Sequence, residues 1–162
     1  MRFSMRRQWR WAVAGVCLAM LSACASGPVK RVSEPTVGIQ ELEVKTDGRW
    51  SVQLRLQNFS SVPMRFDEVS IEVKVGDEAA GTLRATPALT VGPESADIAT
   101  VEFTPTSAAR IVVADALAER RTLKYNFQGK IVAAAKDGRP RDYKFKRNSA
   151  LSPVPGRPGV MR

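Results

Sequence analysis

The residue types that most often carry catalytic chemistry are scarce in this sequence. Its 162 residues include no histidine and two cysteines. Histidine is the usual general base near neutral pH and the commonest metal ligand, so its absence excludes Ser-His-Asp and Cys-His catalysis. The carboxylate pairs Asp67-Glu68 and Asp77-Glu78 are adjacent in sequence, and adjacent residues on a strand point to opposite faces. We therefore expect a protein that is not an enzyme and that needs no metal or other cofactor.

The first 23 residues have the pattern of a secretory signal peptide. Four arginines precede an uncharged run of thirteen residues, 11–23, which is shorter than the roughly 20 residues that a membrane-spanning helix needs. The run leads into Leu21-Ser22-Ala23-Cys24, which resembles the lipobox of bacterial lipoproteins. The resemblance implies that residues 1–23 are removed and that Cys24 is acylated as the first residue of the mature chain. The alternative is an ordinary cleavage site at which Cys24 has no special role.

Acylation of Cys24 would hold the protein on a membrane. Cys17 lies inside the predicted signal peptide, so the mature chain would keep one cysteine and no disulfide is expected. A single acyl chain binds a bilayer only weakly, whereas the lipoprotein resemblance implies three chains. Ala25, in place of an aspartate, is similar to the signal that lets lipoproteins proceed to the outer membrane. We therefore expect a lipid-anchored protein of the bacterial cell envelope, on the periplasmic face of the outer membrane.

Charge is divided unevenly along the chain. The formal net charge is +9. Residues 34–119 contain seven bases and fourteen acids, whereas residues 120–162 contain twelve bases and two acids. One interpretation is that the basic C-terminal hairpin contacts an anionic membrane surface or a protein partner, and nucleic acid is not expected in the envelope. The alternative is that basic late strands pair beside acidic earlier strands and neutralise them.

Alternation of apolar and polar residues dominates the middle of the chain and predicts β-strands. A change of parity near Gln40 or Glu41 predicts a bulge in the first strand, and Asp47-Gly48 and Asp137-Gly138 predict tight hairpin turns. Residues 104–120 have helical periodicity, with Thr104 as the predicted cap. We predict an all-β, antiparallel β-sandwich with one α-helix between the fifth and sixth strands. Its seven strands lie near residues 37–44, 50–56, 66–75, 81–85, 101–103, 123–133 and 143–145.

Two segments that flank this pattern lack its periodicity. Residues 24–35 are small, polar and proline-containing, and we interpret them as a tether. Residues 149–162 contain three prolines and two glycines and are predicted to be a disordered tail. Residues 36–148 then form one domain, because the mature chain is too short for two domains of ordinary size.

Short motifs in this domain resemble the late embryogenesis abundant type 2 family, whose module is also called the water stress and hypersensitive response (WHy) domain. The motifs are PTVGIQELEV, LRLQNFSSVPMRFDEVSIEVKVGDEAAGTL and YNFQGKI. The family commonly has Asn-Pro where this chain has Asn58-Phe59, so its turn is built differently here. The resemblance implies a sandwich of the immunoglobulin or fibronectin type III kind and a non-enzymatic role in desiccation and other stress. The residues that match the family's structural motif are Asn58, Gly81, Tyr125 and Gly129.

Two of these residues also have simpler interpretations. An asparagine such as Asn58 commonly bonds the backbone of a turn with its side chain. A glycine inside a long strand, such as Gly129, marks a bulge or a close approach of two backbones more often than it marks a ligand.

Three functions remain compatible with the sequence. The first is a lipid-anchored protein that protects membrane, polymer or unfolded client surfaces during water stress through non-covalent binding. The second is an accessory or docking subunit of an outer-membrane assembly or transport machine, which would use the basic C-terminal hairpin. The third is a carrier of a small apolar ligand, which would need a cavity between the sheets.

Overall fold

The computed structural model describes residues 29–162. Residues Arg31–Arg162 form one compact unit. The predicted signal peptide, residues 1–23, and the predicted acylation site, Cys24, lie outside the described residues. Within the described part of the chain, no helix is long and apolar enough to cross a membrane.

The described residues contain nine strands and one helix. In chain order their bounds are β1 Thr36–Val44, β2 Trp50–Gln57, β3 Met64–Val75, β4 Glu78–Ala85, β5 Leu89–Val91, β6 Ala96–Phe103, α1 Ser107–Ala118, β7 Leu123–Ala135, β8 Arg141–Leu151 and β9 Val160–Met161.

The strands form two antiparallel sheets that share one apolar core. One sheet has the order β6-β2-β1-β9, and the other has the order β4-β3-β7-β8 with β5 paired to β3. Alternate side chains along β3 and β7 are buried, because successive residues of a strand point to opposite faces. The fold is therefore all-β and sandwich-like, as the alternation predicted. The largest fully buried side chains come from both sheets and include Trp50, Leu54, Leu56, Phe66, Ile71 and Phe127.

The strand count of seven was wrong, because β5 and β9 were not predicted. They contain three and two residues, and segments this short cannot show alternation. Each forms because another strand offers it a free edge. β5 pairs with residues 64–66 of β3, at which β4 does not pair, and β9 pairs with Leu42 and Glu43 of β1.

The predicted bulge and both predicted hairpins are confirmed. In the pairing of β1 with β2, Ile39 lies opposite Leu54 and Glu41 lies opposite Gln53, so Gln40 is the extra residue. Gly48, in the β1–β2 turn, has a φ of 80°, which glycine adopts without strain. In the β7–β8 turn it is Asp137, not Gly138, that takes a positive φ, of 65°.

The predicted helix is present as α1, between β6 and β7. Its cap is Thr106, whose hydroxyl accepts a hydrogen bond from the Ala109 N–H at 3.3 Å, and not Thr104 as predicted. The main-chain N–H of Thr106 donates to the carbonyl oxygen of Ala80 at 3.0 Å, which holds this residue outside the helix and moves the start by two positions. Ala109, Val113 and Ala116 are buried, and α1 packs on β4 and β3.

The prediction of a disordered tail from residue 149 was wrong. β8 continues to Leu151, and the last eleven residues fold back as a hairpin whose strand β9 joins β1. Met161 is fully buried, so burial of its apolar side chain is one reason why the tail is ordered. Pro155 and Pro158 lie in the turn of this hairpin, where a missing N–H costs no ladder bond. The domain therefore extends to the C-terminus.

The predicted tether is also shorter than residues 24–35, because its last residues bind the domain. The main-chain N–H of Arg31 donates to Ser61 Oγ at 2.8 Å, and the N–H of Ser33 donates to Ser60 Oγ at 3.0 Å. The Arg31 guanidinium lies 2.9 Å from a carboxylate oxygen of Glu94. Arg31 and the residues after it therefore belong to the domain.

Candidate functional site

Asn58 joins two turns at one end of the sandwich. Its side chain is fully buried. Its Nδ2 donates to the carbonyl oxygens of Val62 at 2.9 Å and Gly92 at 2.8 Å, and the carbonyl oxygen of Val91 lies at 3.2 Å. Its Oδ1 accepts a hydrogen bond from the Ser60 N–H at 2.8 Å. The Nδ2 of Asn58 thus fastens the β2–β3 turn to the β5–β6 turn, and its Oδ1 is bonded within the β2–β3 turn.

Gly129 lies where two strands approach too closely for a side chain. It pairs with Ile71 of β3 and Phe145 of β8. A Cβ atom added to it would lie 2.0 Å from the carbonyl oxygen of Ser70 and 3.0 Å from Ile71 Cα. The space is filled by backbone, so the structure leaves no room at Gly129 for a ligand.

Gly81 lies at a bulge in the pairing of β3 with β4. Val73 is opposite Gly81 and Lys74 is opposite Ala79, so Ala80 has no partner across the pair. The φ of Gly81 is 130°, a conformation that side chains disfavour. Ala80 is buried, and its carbonyl oxygen accepts the hydrogen bond from Thr106. The bulge therefore positions the start of α1.

Tyr125 connects the two sheets through its phenol group. It is buried, and its ring stacks on Phe127 with centroids 5.5 Å apart. Burial raises the pKa of the Tyr125 phenol, and hydrogen bonds with Ser149 of β8 and the main chain of Ile39 of β1 act in the opposite direction. Because β1 and β8 belong to different sheets, Tyr125 fixes their separation.

These four residues do not form one site. Asn58 lies at one end of the strands, Gly81 lies near α1 at the other end, and Tyr125 and Gly129 lie along β7. Each occupies a position where chain segments cross or turn, so their common contribution is to the fold.

The structure keeps the two carboxylate pairs of the sequence apart. Among residues 29–162 there is no group of three or more metal-ligating side chains. Asp67 is bonded to the neighbouring Arg65 at 2.7 Å, whereas Asp77 and Glu78 are exposed at the β3–β4 turn. The first pair thus lies within β3, whereas Asp77 lies in the β3–β4 turn and Glu78 begins β4.

Two depressions stand out on the surface of the described residues. One has a volume of about 790 Å³ and lies between the end of α1 and the hairpin of residues 152–162. It is lined by Leu117, Arg120, Pro153, Pro155 and Pro158. The other has a volume of about 290 Å³ and lies on the outer face of the second sheet, against Glu72, Lys74, Gln128 and Lys146. Neither lies between the sheets, which is where a carrier would need its cavity.

The basic C-terminal hairpin, β7 and β8, forms one side of the molecule. β8 is the edge strand of its sheet and pairs only with β7 among the described strands. Lys144 faces Lys130 across this pair, and Lys146 faces Gln128. Lys130 contacts Asp142 at 3.5 Å, whereas the acidic Glu72 of β3 accepts a hydrogen bond from Gln128. The only strand that pairs with β8 among the described residues is β7, which contains no acid, so the positive charge of β8 faces solvent.

The end of the sandwich at which the chain enters was not identified from the sequence. We call it the entry pole, and it consists of residues 31–35, 58–63, 92–95 and 136–140. The N–H of Lys136 donates to the carbonyl oxygen of Pro63 at 2.8 Å, which joins the β7–β8 turn to the Asn58 turn. Val32 and Phe59 are exposed here by 52% and 41%, although apolar residues of this size are normally covered. The feature of the sequence that could have indicated this exposed apolar surface is Phe59, which occupies the position where the family that the chain resembles commonly has proline.

No family model matches the chain, and no curated protein matches it either. Three of the solved structures to which it is similar have TM-scores from 0.43 to 0.47. A protein from Archaeoglobus fulgidus has 15% identity and a TM-score of 0.45, over 76% of this chain and 98% of that one. A protein of Arabidopsis thaliana has 10% identity and a TM-score of 0.47, over 78% and 83%. A candidate late embryogenesis abundant (LEA) protein has 10% identity and a TM-score of 0.43, over 93% and 87%.

Proposed function

We propose that this chain is a lipid-anchored, non-enzymatic protein of the bacterial envelope that protects other surfaces during desiccation through non-covalent binding. The observation that carries the proposal is the lipobox-like sequence that ends at Cys24, seven residues before Arg31, whose main chain is bonded to the domain. We infer that a domain held this close to a membrane acts by contact, since its sequence has no histidine and its described residues include no group of metal-ligating side chains.

We also propose that the chain is a member of the late embryogenesis abundant type 2 family, with a sandwich of the immunoglobulin or fibronectin type III kind. The strand order supports a sandwich of this kind. In one sheet β1, β2 and β6 are neighbours, and in the other β3, β7 and β8 are neighbours. Immunoglobulin-type sandwiches pair strands A, B and E and strands C, F and G in the same way. Here β4 lies beside β3, in the second sheet.

The anchor is tested by metabolic labelling with palmitate. We expect label in the wild-type protein and none in a Cys24→Ser variant, together with loss of the variant from the outer-membrane fraction. A Cys17→Ser variant is the matched control and should be labelled like the wild type, because Cys17 lies in the predicted signal peptide. Equal labelling of Cys24→Ser and wild type would refute the anchor.

The protective role is tested by drying. Cells that lack the protein should survive drying and rehydration less well than wild-type cells, and the purified protein should reduce aggregation of a dried client enzyme. An equal mass of an unrelated globular protein is the control for simple crowding. Unchanged survival together with unchanged aggregation would contradict the protective role and leave the anchor result unaffected.

The accessory-subunit function is the second candidate, and one observation favours it. β8 presents eleven residues along an edge with unpaired backbone groups, and an extended segment of a partner can add to such an edge. Lys144 and Lys146 would favour an acidic partner. Crosslinking in intact membranes followed by mass spectrometry should then recover one dominant partner crosslinked to β8. Crosslinks spread over many unrelated proteins would favour the protective role.

A further inference from the structure

The short link between Cys24 and the domain restricts which part of the domain can approach a membrane. Cys24 lies seven residues before Arg31, and a chain extends by at most about 3.5 Å per residue, so the link spans no more than about 25 Å. Arg31 is fixed to the entry pole by its bonds with Ser61 and Glu94. The link therefore ends at the entry pole.

The opposite end of the sandwich is farther away. We call it the far pole, and it consists of the β1–β2 turn, the β3–β4 turn and α1. β3 runs between the poles and has twelve residues, which at about 3.3 Å per residue gives about 40 Å. With Cys24 in a bilayer, the entry pole is the end that lies nearer the lipid.

The entry pole exposes apolar side chains where lipid would be. Val32 and Phe59 are 52% and 41% exposed. They belong to two segments that run side by side, since Arg31 and Ser33 bond to Ser61 and Ser60. An aromatic and an aliphatic side chain on one rim can insert among lipid headgroups and acyl chains.

The same pole carries the tip of the basic hairpin. Lys136, Arg139 and Arg141 are exposed in or beside the β7–β8 turn, with Asp137 as the acid among them. The bond from the Lys136 N–H to Pro63 holds this turn next to the turn that contains Phe59. Basic residues that flank apolar ones are the pattern that binds anionic lipid headgroups.

We propose that the entry pole docks on the bilayer, with Phe59 and Val32 inserted at the headgroup level and the 136–141 turn against the phosphates of anionic lipids. This rests on the proposed lipid anchor for its geometry. The strands then stand away from the membrane, and the far pole and the β8 edge remain free for clients or a partner.

The first test measures which pole approaches lipid. The protein is reconstituted in vesicles that contain phosphatidylglycerol and a lipid brominated on its acyl chains, which quenches nearby dyes. An environment-sensitive dye is attached through Pro93→Cys at the entry pole, Asp77→Cys at the far pole or Lys144→Cys on the side. We expect quenching severalfold greater at position 93 than at the other two. Equal quenching at all three, or greater quenching at 77 or 144, would overturn the proposal.

The parent protein without an added cysteine separates failure of the anchor from failure of the docking. If Cys24 is acylated, the parent takes up no dye. If the parent takes up dye, the anchor proposal has failed, and the three positions are then measured in a Cys24→Ser background at high vesicle concentration. Quenching at position 93 in that background supports docking without the lipid, and absence of quenching at position 93 rejects docking.

The second test changes the surface itself. The double variant Val32→Ser, Phe59→Ser should reduce the quenching of the dye at position 93 severalfold, because the apolar contact is lost. The matched control is Ile111→Ser, which removes a side chain that is 62% exposed on α1, at the far pole, and should leave the quenching unchanged. Urea unfolding of both variants checks that the fold persists. Unchanged quenching in the folded double variant would contradict the docking surface.

Discussion

At the scale of single residues, the fold depends on a few positions where chain segments cross. The Asn58 side chain joins two turns, Gly129 permits a backbone contact, and Tyr125 spans the two sheets. None of them has an exposed polar atom available for chemistry, since Asn58 is fully buried and Tyr125 nearly so. Substitutions at these positions should therefore change stability rather than a specific binding function.

Asn58→Ala should lower the free energy of unfolding by about 3 kcal/mol, because it leaves two or three buried carbonyl groups and one N–H without partners. Urea denaturation measures this. Asn126→Ala is the control, because Asn126 is exposed on β7 and its loss should cost about 0.5 kcal/mol or less. Similar losses in the two variants would contradict the role assigned to Asn58.

Gly129→Ala should destabilise the protein by about 3 kcal/mol, because its Cβ would lie 2.0 Å from the Ser70 carbonyl oxygen and the two strands must separate. Gly38→Ala is the matched strand glycine, since the nearest atom to its Cβ would be Arg147 Nη1 at 3.8 Å. We expect a change of about 1 kcal/mol or less there. Thermal unfolding of the two variants side by side decides the matter, and an equal effect would argue against close strand packing at Gly129.

At the scale of elements, the hairpin formed by residues 152–162 closes one edge of the first sheet. β9 pairs with β1, and the Arg157 guanidinium donates to both carboxylate oxygens of Glu41, at 2.7 and 2.9 Å. The Glu41 side chain is only 9% exposed. The hydrogen bond from Arg157 lowers the pKa of Glu41, although partial burial acts in the opposite direction. The hairpin is thus held by the pairing of β9 with β1, by the buried Met161 and by the ion pair of Arg157 with Glu41.

This lowered pKa gives a pH prediction. The unfolded chain binds a proton at Glu41 more readily than the folded one, so stability from the pair is present above about pH 4.5 and is lost as pH falls through the folded pKa. Arg157→Gln should therefore be less stable than wild type near pH 7, and the difference should shrink in acid. Arg139→Gln, an exposed arginine in the β7–β8 turn, is the control. A difference that is independent of pH would contradict the Glu41 assignment.

At the scale of the whole molecule, positive charge collects along β7 and β8, which pair with each other at one side of the second sheet. The acidic side chains of the earlier strands do not neutralise this positive charge, because β8 pairs only with β7 among the described strands and β7 contains no acid. The tip of this hairpin reaches the entry pole through the Lys136–Pro63 bond. The tip of the basic hairpin, two exposed apolar residues and the point of chain entry therefore lie at one end.

This coincidence predicts salt-sensitive binding. A Cys24→Ser protein should bind phosphatidylglycerol vesicles at low salt and be released as salt rises. The double variant Arg139→Gln, Arg141→Gln should bind more weakly, by about thirtyfold if each base contributes about 1 kcal/mol. Arg55→Gln with Arg120→Gln removes the same charge elsewhere and is the control. Vesicle sedimentation measures all three, and equal losses in both double variants would show that only net charge matters.

The strands, the β1 bulge and the helix were predictable, because periodicity, parity and turn residues are properties of neighbouring residues. The cap at Thr106 was not, because a hydrogen bond from another strand selects it. β5, β9 and the docked segment at Arg31 were missed for the same reason. Their few residues carry no pattern of their own, and the partners that order them are distant in sequence.

The sequence by itself determined that no histidine is present for catalysis and that alternation commits the chain to β-structure, and it predicts acylation at Cys24. Only the tertiary structure decided how far the domain extends and what its surface presents. It brought Arg31 onto the Asn58 turn, folded the tail onto β1 and placed Phe59 beside the tip of the basic hairpin. Such contacts form between segments that are distant in sequence, so the residues next to each segment do not predict them.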